Sequence, residues 1–249
     1  MAIRAAAQKI KEKKEEKPWW LEKVEAHFME DNKNYPSPGR FRPSGISECA
    51  RECLYCYLGV AEYPDHELST MRYFARGRAN QEIWEGIFRE IGLRMRTPCS
   101  VCYKAGKYVC THEYPQPWSM TDPNVRGTPD IILVDDTNTE WLVEWKSTWK
   151  TRLTREYHLQ WQLYSRLTGI RQGWVVTQDP STWATPPIAM TPNDEFVDKM
   201  LDWMRFIEKC VREEVMIAKD DRCGPNKLWK ESCDIYEFCH SDKGSNPWR

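Results

Sequence analysis

No stretch of this chain is apolar for long enough to cross a bilayer as a helix, and its N-terminus carries neither the apolar core nor the cleavage site of a signal peptide. The expectation is therefore a soluble, cytoplasmic protein with no membrane partner. An excess of charge of one sign is also missing, since 36 Lys and Arg against 37 Asp and Glu leave a formal net charge of -1. That balance argues against a uniformly basic nucleic-acid binder and leaves room only for a local phosphate-binding groove. Large apolar side chains are nearly absent from the first seventeen residues, where Lys9, Lys11, Lys13, Lys14 and Lys17 alternate with Glu12, Glu15 and Glu16. Such a segment reads as a solvated helix or a disordered arm.

Cysteine is abundant: ten in 249 residues, which in a chain expected inside the cell are metal ligands or buried hydrophobes rather than disulfides. They come in groups. Cys49, Cys53 and Cys56 lie near the start, Cys99, Cys102 and Cys110 in the middle, and Cys223, Cys233 and Cys239 near the end. Cys210 stands apart on the helical pattern Phe196 to Ala218 and reads as a small buried hydrophobe. The middle group runs Cys99-x-x-Cys102, a Gly-containing turn, then Cys110-x-His112, four N/S donors of the kind tetrahedral Zn²⁺ prefers. A hydrophobic loop with spare cysteines is the alternative. Thirteen tryptophans are many for this length; stacking on unpaired bases is one use and core filling the commoner one.

The stretch from Val125 to Ser147 reads as two apolar strands. Asp130 to Val134 is β-branched and apolar, Asp135-Asp136-Thr137-Asn138 has turn chemistry, and Trp141 to Lys146 forms the second strand. Period two puts Glu144 and Lys146 on one face, and the neighbouring strand brings Asp130 alongside. Two close carboxylates suit Mg²⁺ or Mn²⁺, and a lysine beside them can orient an attacking water. An ordinary hairpin with an exposed Glu/Lys pair is the competing reading. Downstream, Gln160 and Tyr164 stand at i and i+4 on one face of a helix. Between cysteine groups, Ser69 to Leu93 reads as a long helix with Phe74, Ile83, Trp84, Ile87, Phe88 and Ile91 as its apolar positions, ended by Gly92. Arg76 and Arg78 on it suit phosphates or, more simply, a solvated face. After the strand Gly173 to Thr177, Thr182 to Pro192 reads as a Pro-rich connection. A last helix from Asn193 to about Lys219 offers Thr191 or Asn193 as its cap.

Gly127-Thr128-Pro129-Asp130 with Glu144-Trp145-Lys146, followed by Gln160-x-x-x-Tyr164, resembles the PD-(D/E)xK nuclease superfamily in its RecB-like iron–sulfur exonuclease branch, which includes the CRISPR-adaptation exonucleases and their phage relatives. Ser44 to Tyr55, with Cys49 followed by Arg51, is similar to the opening of that branch, and Cys223, Cys233 and Cys239 to its C-terminal cysteine triplet. The usual Cys-x-x-Cys is missing here, because Tyr236 stands three after Cys233. Arg76 to Glu82 matches the branch's Gly-x-x-x-His-Glu element, with Gln81 in place of the histidine.

The resemblance implies an α/β, restriction-endonuclease-like fold with a mixed central sheet flanked by helices and a cysteine-ligated iron–sulfur region; the Cys99 to His112 spacing adds an inserted zinc-knuckle-like loop. It implies a charged arm and helix over 1–34, a nuclease domain over 35–240 with a metal-binding loop at 97–114 and an iron–sulfur segment at 220–240, and a tail at 241–249. Asp130 and Glu144, with Glu82 or Gln81 and the Trp145 carbonyl, would bind Mg²⁺ or Mn²⁺; Lys146, Gln160 and Tyr164 would complete the catalytic set. Cys49, Cys223, Cys233 and Cys239 would hold a [4Fe–4S] cluster, with Cys53 or Cys56 able to supply a missing ligand. Zn²⁺ would sit on Cys99, Cys102, Cys110 and His112, and Arg51, Arg76 and Arg78 would contact DNA. The implied activity is a metal-dependent DNA exonuclease acting on single-stranded or frayed DNA in recombination, repair or phage DNA processing. A catalytically degenerate zinc and iron–sulfur nucleic-acid-binding protein is the alternative, and a structural metalloprotein a third.

Overall fold

The computed structural model describes residues 19–30, 38–46, 49–61, 67–148, 152–179, 187–219, 233, 236–241, 244 and 247–248. Two compact units divide the chain. The smaller, Met1–Asn34 with Asp65–Ala75, contains helix α1 (Trp19–Glu30) and the first turns of α3 (Leu68–Glu90), and within it Arg72 Nη2 pairs with Glu25 Oε1 at 3.1 Å. Among the described residues no helix is long and apolar enough to cross a membrane.

The larger unit, Tyr35–Pro64 with Arg76–Arg249, is a mixed α/β structure. Its sheet contains β1 (Arg94–Arg96), β4 (Ile131–Val134), β5 (Glu140–Ser147), β6 (Gly173–Gln178) and β7 (Pro187–Met190), in the order β1-β4-β5-β6-β7. Every neighbouring pair is antiparallel except β5 and β6. A parallel pair cannot be joined by a tight turn. Helix α5 (Arg155–Thr168) makes that crossover. A separate antiparallel ribbon joins β2 (Trp118–Thr121) to β3 (Asn124–Gly127), and α2 (Ala50–Leu58), α4 (Ser100–Lys104), α6 (Asp194–Arg212) and α7 (Tyr236–His240) complete the described helices.

Alternation along the strands sorts side chains onto two faces. Ile132, Leu142 and Val175 pack with Trp161 and Tyr164 of α5 on one face; Ile131, Val143, Trp145 and Val176 pack with Trp84 and Phe88 of α3 on the other. A third cluster ties α2, α5 and α6 to Phe238 and Cys239 near the C-terminus. Cys210 is buried in it.

The turn expected at Asp135 to Asn138 closes the β4–β5 hairpin. The Asp135 carboxylate accepts from the backbone N–H of Thr137 and Thr139, the Thr137 hydroxyl and the Trp141 indole, and these donors lower its pKa to about 2. Asn138 takes a φ of 63°, which asparagine tolerates. The caps follow side-chain chemistry too: Thr154 accepts from Tyr157 N at α5, and Asn193 rather than Thr191 accepts from Phe196 N at α6.

Three expectations are corrected. The supposed connection Thr182 to Pro192 contains β7, an edge strand that starts on Pro187, where the missing N–H costs no internal ladder bond. The last helix stops at Arg212, and Glu214 turns to a φ of 53°, so the segment up to Lys219 is not helical. Of the apolar positions expected on the long helix, Phe74 and Ile83 on α3 and Ile91 just past its end are exposed rather than core-facing, while Trp84 and Phe88 pack toward Trp145.

Gly173 pairs with Leu142 of β5 and leaves no room for a side chain. A Cβ there would lie 1.8 Å from the Leu142 carbonyl oxygen, which also accepts the Trp161 indole N–H at 3.1 Å. Gly173→Ala is expected to destabilise the fold by about 3 kcal/mol. Gly86, on α3, has nothing within 4 Å of the place a Cβ would take, and should instead gain roughly 0.5–1 kcal/mol on substitution by alanine. Urea unfolding of the two variants checks both signs.

Candidate functional site

The β4–β5 register pairs Ile131 with Val143, and one more step sets Asp130 opposite Glu144. Asp130 Oδ2 accepts the backbone N–H of Trp145 at 2.9 Å. Two residues beyond Glu144, on the same strand face, Lys146 Nζ sits 2.5 Å from Glu144 Oε1. Gln160 and Tyr164 of α5 cover this face, buried at 6% and 4% exposure. Five residues that the sequence singled out are thus brought to one place. Asp130 and Glu144 both raise the Tyr164 phenol pKa, after burial as the largest cause, while the Gln160 side chain opposes them.

Glu144 is the unusual member. Its side chain is fully buried, and among the described residues Oε2 has no hydrogen-bond partner. Burial and the Asp130 charge hold its pKa well above the ordinary value, against the pull of Lys146. For Lys146, burial works against the charged form and the two carboxylates more than offset it, so its pKa is raised. A buried carboxylate with a bare oxygen beside a second carboxylate offers hard oxygen donors, the chemistry a divalent cation requires.

A cleft of about 810 Å³ opens beside Asp130, with Gln81 and Glu85 of α3 on one wall and Tyr108 to Cys110 on another. Gln81 Nε2 donates to Glu85 Oε1 at 3.1 Å. Glu82 is exposed and lies outside that lining, because the helix turns Gly77, Asn80 and Trp84 toward β5. Glu85, one turn after Gln81, faces the cleft instead. Its i+4 spacing from Gln81 was the available signal.

A second cavity, about 440 Å³, is lined by Arg40, Arg42, Arg126, Ser44, Thr128 and Tyr164, among others. Thr128 borders both cavities. The three arginines were not singled out in the sequence. Phe41 bridges to Val125, with Arg126 N donating to Phe41 O at 2.9 Å, and both apolar residues are buried. Alternation then turns Arg40, Arg42 and Arg126 to the opposite side. Partial burial and the neighbouring Arg40 lower the Arg42 pKa, the mark of cations crowded together. Gly127 permits the crowding: a Cβ there would meet Pro43 Cδ at 2.8 Å and Tyr164 Cε1 at 3.0 Å.

Cys99, Cys102, Cys110 and His112 bring one donor atom each to within 4.8 Å of all the others, a set that can hold a metal ion. Backbone N–H donation from Cys102 and Gln116 outweighs burial and draws the Cys99 thiol down to about 7, which favours the ligating thiolate. Elsewhere, Cys239 Sγ receives Arg51 Nη1 at 3.7 Å, and the Tyr55 hydroxyl, which donates to the Gly244 carbonyl at 2.6 Å, stands 3.8 Å from the same sulfur. Burial and then the Cys239 sulfur raise the Tyr55 pKa, and Cys49 adds to the effect, so thiols from both ends of the chain surround this phenol. Cys233 packs at the edge of the same core; Cys223 lies outside the described residues. Arg51, expected to contact DNA, is only 8% exposed, and its Nε donates to the Ile217 carbonyl at 3.0 Å. It braces the C-terminal segment. Arg76 and Arg78 are exposed on α3.

No family model and no curated protein matches the chain. Among solved structures, it is similar to that of SSO0001, with 15% identity and a TM-score of 0.47 over 89% of this chain and 95% of the other. It is also similar to an alkaline exonuclease (LHK-Exo) from Laribacter hongkongensis, with 13% identity and a TM-score of 0.46 over 83% of this chain and 97% of that one. The same exonuclease in complex with dAMP gives 14% identity and a TM-score of 0.44 over 85% and 97%.

A carboxyl with a raised pKa stabilises the fold while protonated, below the ordinary value of 4.5, and that contribution is lost as pH rises through the raised value. Without divalent cation, thermal stability should therefore fall from acid toward neutral pH, and Glu144→Gln should flatten the dependence. Added Mg²⁺ should raise the neutral-pH melting temperature of the wild type and leave that of Glu144→Gln unmoved. Calorimetric scans across pH check this, and a wild type indifferent to Mg²⁺ and Mn²⁺ would exclude the pair as a cation site.

Proposed function

We propose that this protein is a metal-dependent deoxyribonuclease that hydrolyses phosphodiester bonds, acting as an exonuclease on single-stranded or frayed DNA. The observation that carries the reading is the fully buried Glu144 beside Asp130 at the edge of the cleft, with Glu144 Oε2 unpartnered among the described residues and Lys146 Nζ 2.5 Å from Oε1. Burying one carboxylate beside another costs several kcal/mol where its charge is not neutralised. A fold retains such a pair for the cation it binds.

Asp130, Glu144 and the Trp145 carbonyl would hold Mg²⁺ or Mn²⁺, with Gln81 on the nearer cleft wall. The cation supplies Lewis acidity toward a phosphoryl oxygen. Lys146, fixed by its carboxylate partner, orients a water toward phosphorus and offsets negative charge as the water oxygen bonds. The water gives up a proton to solvent in the cleft as its oxygen bonds to phosphorus, the bond from phosphorus to the leaving sugar oxygen breaks, and that oxygen takes a proton back from solvent. Tyr164 and Gln160 shield the carboxylates from bulk water. On the far side of Thr128, Arg40, Arg42 and Arg126 suit the neighbouring phosphates of the strand. Lys146→Ala and Asp130→Ala are each expected to lower cleavage of end-labelled DNA by at least about a hundredfold while leaving the circular dichroism spectrum unchanged. Wild-type rates from Lys146→Ala would remove the catalytic assignment, and comparison of 5′- and 3′-labelled strands reads the polarity.

The thiols around Tyr55 support an iron–sulfur cluster on Cys49, Cys223, Cys233 and Cys239. Arg51 donates toward the Cys239 sulfur at 3.7 Å, the kind of hydrogen bonding that stabilises a ligating thiolate. Such a cluster would clip the start of the larger unit to its end. Protein purified without oxygen should be brown with about four irons per chain, and Cys239→Ser should bleach it; colourless, iron-free protein with wild-type stability would refute the cluster.

A further inference from the structure

We propose that Cys99, Cys102, Cys110 and His112 bind a structural Zn²⁺ whose role is to hold Tyr108 and Val109 as one wall of the cleft that receives the DNA strand. The second half rests on the nuclease reading above; the first stands on geometry alone.

Tetrahedral zinc with Zn–S near 2.3 Å and Zn–N near 2.0–2.1 Å requires donor separations of about 3.8 Å between sulfurs and about 3.5 Å between sulfur and nitrogen. Cys102 and Cys110 sulfurs stand 3.9 Å apart. His112 Nδ1 lies 3.5, 3.3 and 3.8 Å from the sulfurs of Cys99, Cys102 and Cys110. All four measured edges match one tetrahedron. The backbone supports it from outside, since Gln116 N donates to Cys99 Sγ at 3.2 Å and His112 N to Cys110 Sγ at 3.4 Å. Soft thiolates with one imidazole select zinc over the hard cation suited to Asp130 and Glu144. The two centres therefore differ in kind.

What zinc would fix is the chain between its ligands. Residues 105–109 leave α4 through Gly106 at a φ of 75° and return to Cys110. With Val109 75% and Tyr108 48% exposed, this segment has little apolar burial of its own to hold it. The Arg96 guanidinium lies 5.1 Å from the Tyr108 ring centre, and Tyr108, Val109 and Cys110 line the same cleft as Gln81 and Asp130. An aromatic and an aliphatic side chain facing a carboxylate site across a cleft suit an unpaired base whose phosphate approaches the carboxylates.

Elemental analysis of the purified protein should find one zinc per chain. Cys110→Ser should lose it, His112→Cys should keep it, and cobalt exchanged into the wild type should give the visible absorption of a tetrahedral thiolate complex. Zinc-free wild-type protein, or cobalt protein without that absorption, overturns the centre. Tyr108→Ala, which spares every ligand, covers the case in which the cysteine variant does not fold. It should retain zinc and bind a single-stranded oligonucleotide, in Ca²⁺, about tenfold more weakly; unchanged affinity overturns the role of the wall. If the wild type neither binds nor cuts DNA, the nuclease reading and the wall fall together, and the zinc and cobalt measurements still decide the centre. DNA cleavage by zinc-free wild type would do the reverse.

Discussion

A carboxylate taken out of water cannot stand beside a second one as a bare anion, and the structure around buried Glu144 and its neighbour Asp130 is organised by that constraint. Glu144 is placed by period two on the face of β5 that α5 covers, where no water reaches it. Lys146, on the same face, neutralises one charge at 2.5 Å. The Trp145 N–H supports Asp130. The remaining oxygen, Glu144 Oε2, is left without a partner among the described residues, and Tyr164 and Gln160 seal the site rather than satisfy it. Lys146 and the Trp145 N–H relieve part of the electrostatic cost, and the rest falls on Glu144, whose carboxyl is held well above its ordinary pKa by burial and the Asp130 charge.

Much of this was legible in the sequence because it depends on local periodicity. Glu144 and Lys146 share a face by strand geometry, Asp135 and Asn138 are turn residues whose chemistry is self-contained, and Gln160 and Tyr164 share a face by helix geometry. Cys99, Cys102, Cys110 and His112 converge because their short spacings leave the chain little choice. What escaped notice depends on contacts between distant segments. The arginine cavity exists because Phe41 bridges to Val125, more than eighty residues on, and no local pattern announces that pairing. Strand β7 hides in a Pro-rich stretch because an edge strand needs only half a ladder. Arg51 read as a phosphate contact from its place beside Cys49; a carbonyl and a thiol from the far end of the chain claimed it instead.

Helix α5 carries more of the structure than its sequence motif suggests. Trp161 fills the sheet face and donates to the Leu142 carbonyl. Gln162, 1% exposed, donates to Thr191 O and accepts from Asn193 N, which fixes the chain entering α6. Leu159 and Leu163 enter the third core with α2 and α6. One helix thus ties the carboxylate face of the sheet to the core in which Cys239 and Tyr55 lie, so strain in either is resisted by the same packed segment.

The two cavities meet at Thr128, and the chain there explains why they differ so much in character. On one side Gly127 lets Pro43 and Tyr164 approach to within a carbon's contact distance, and the arginines of two bridged segments are forced together above them. On the other, Pro129 and Asp130 lead directly into β4, with the Cys110 segment opposite. A substrate bridging the cavities would place anionic groups against the arginines while an adjacent group reached the carboxylates. On the nuclease reading proposed above, positive charge would draw the strand toward a site that would repel it without a cation. The near-neutral net charge is consistent with such local division, because it is the separation of charges across a few residues, and not their sum, that sets the field in the cleft.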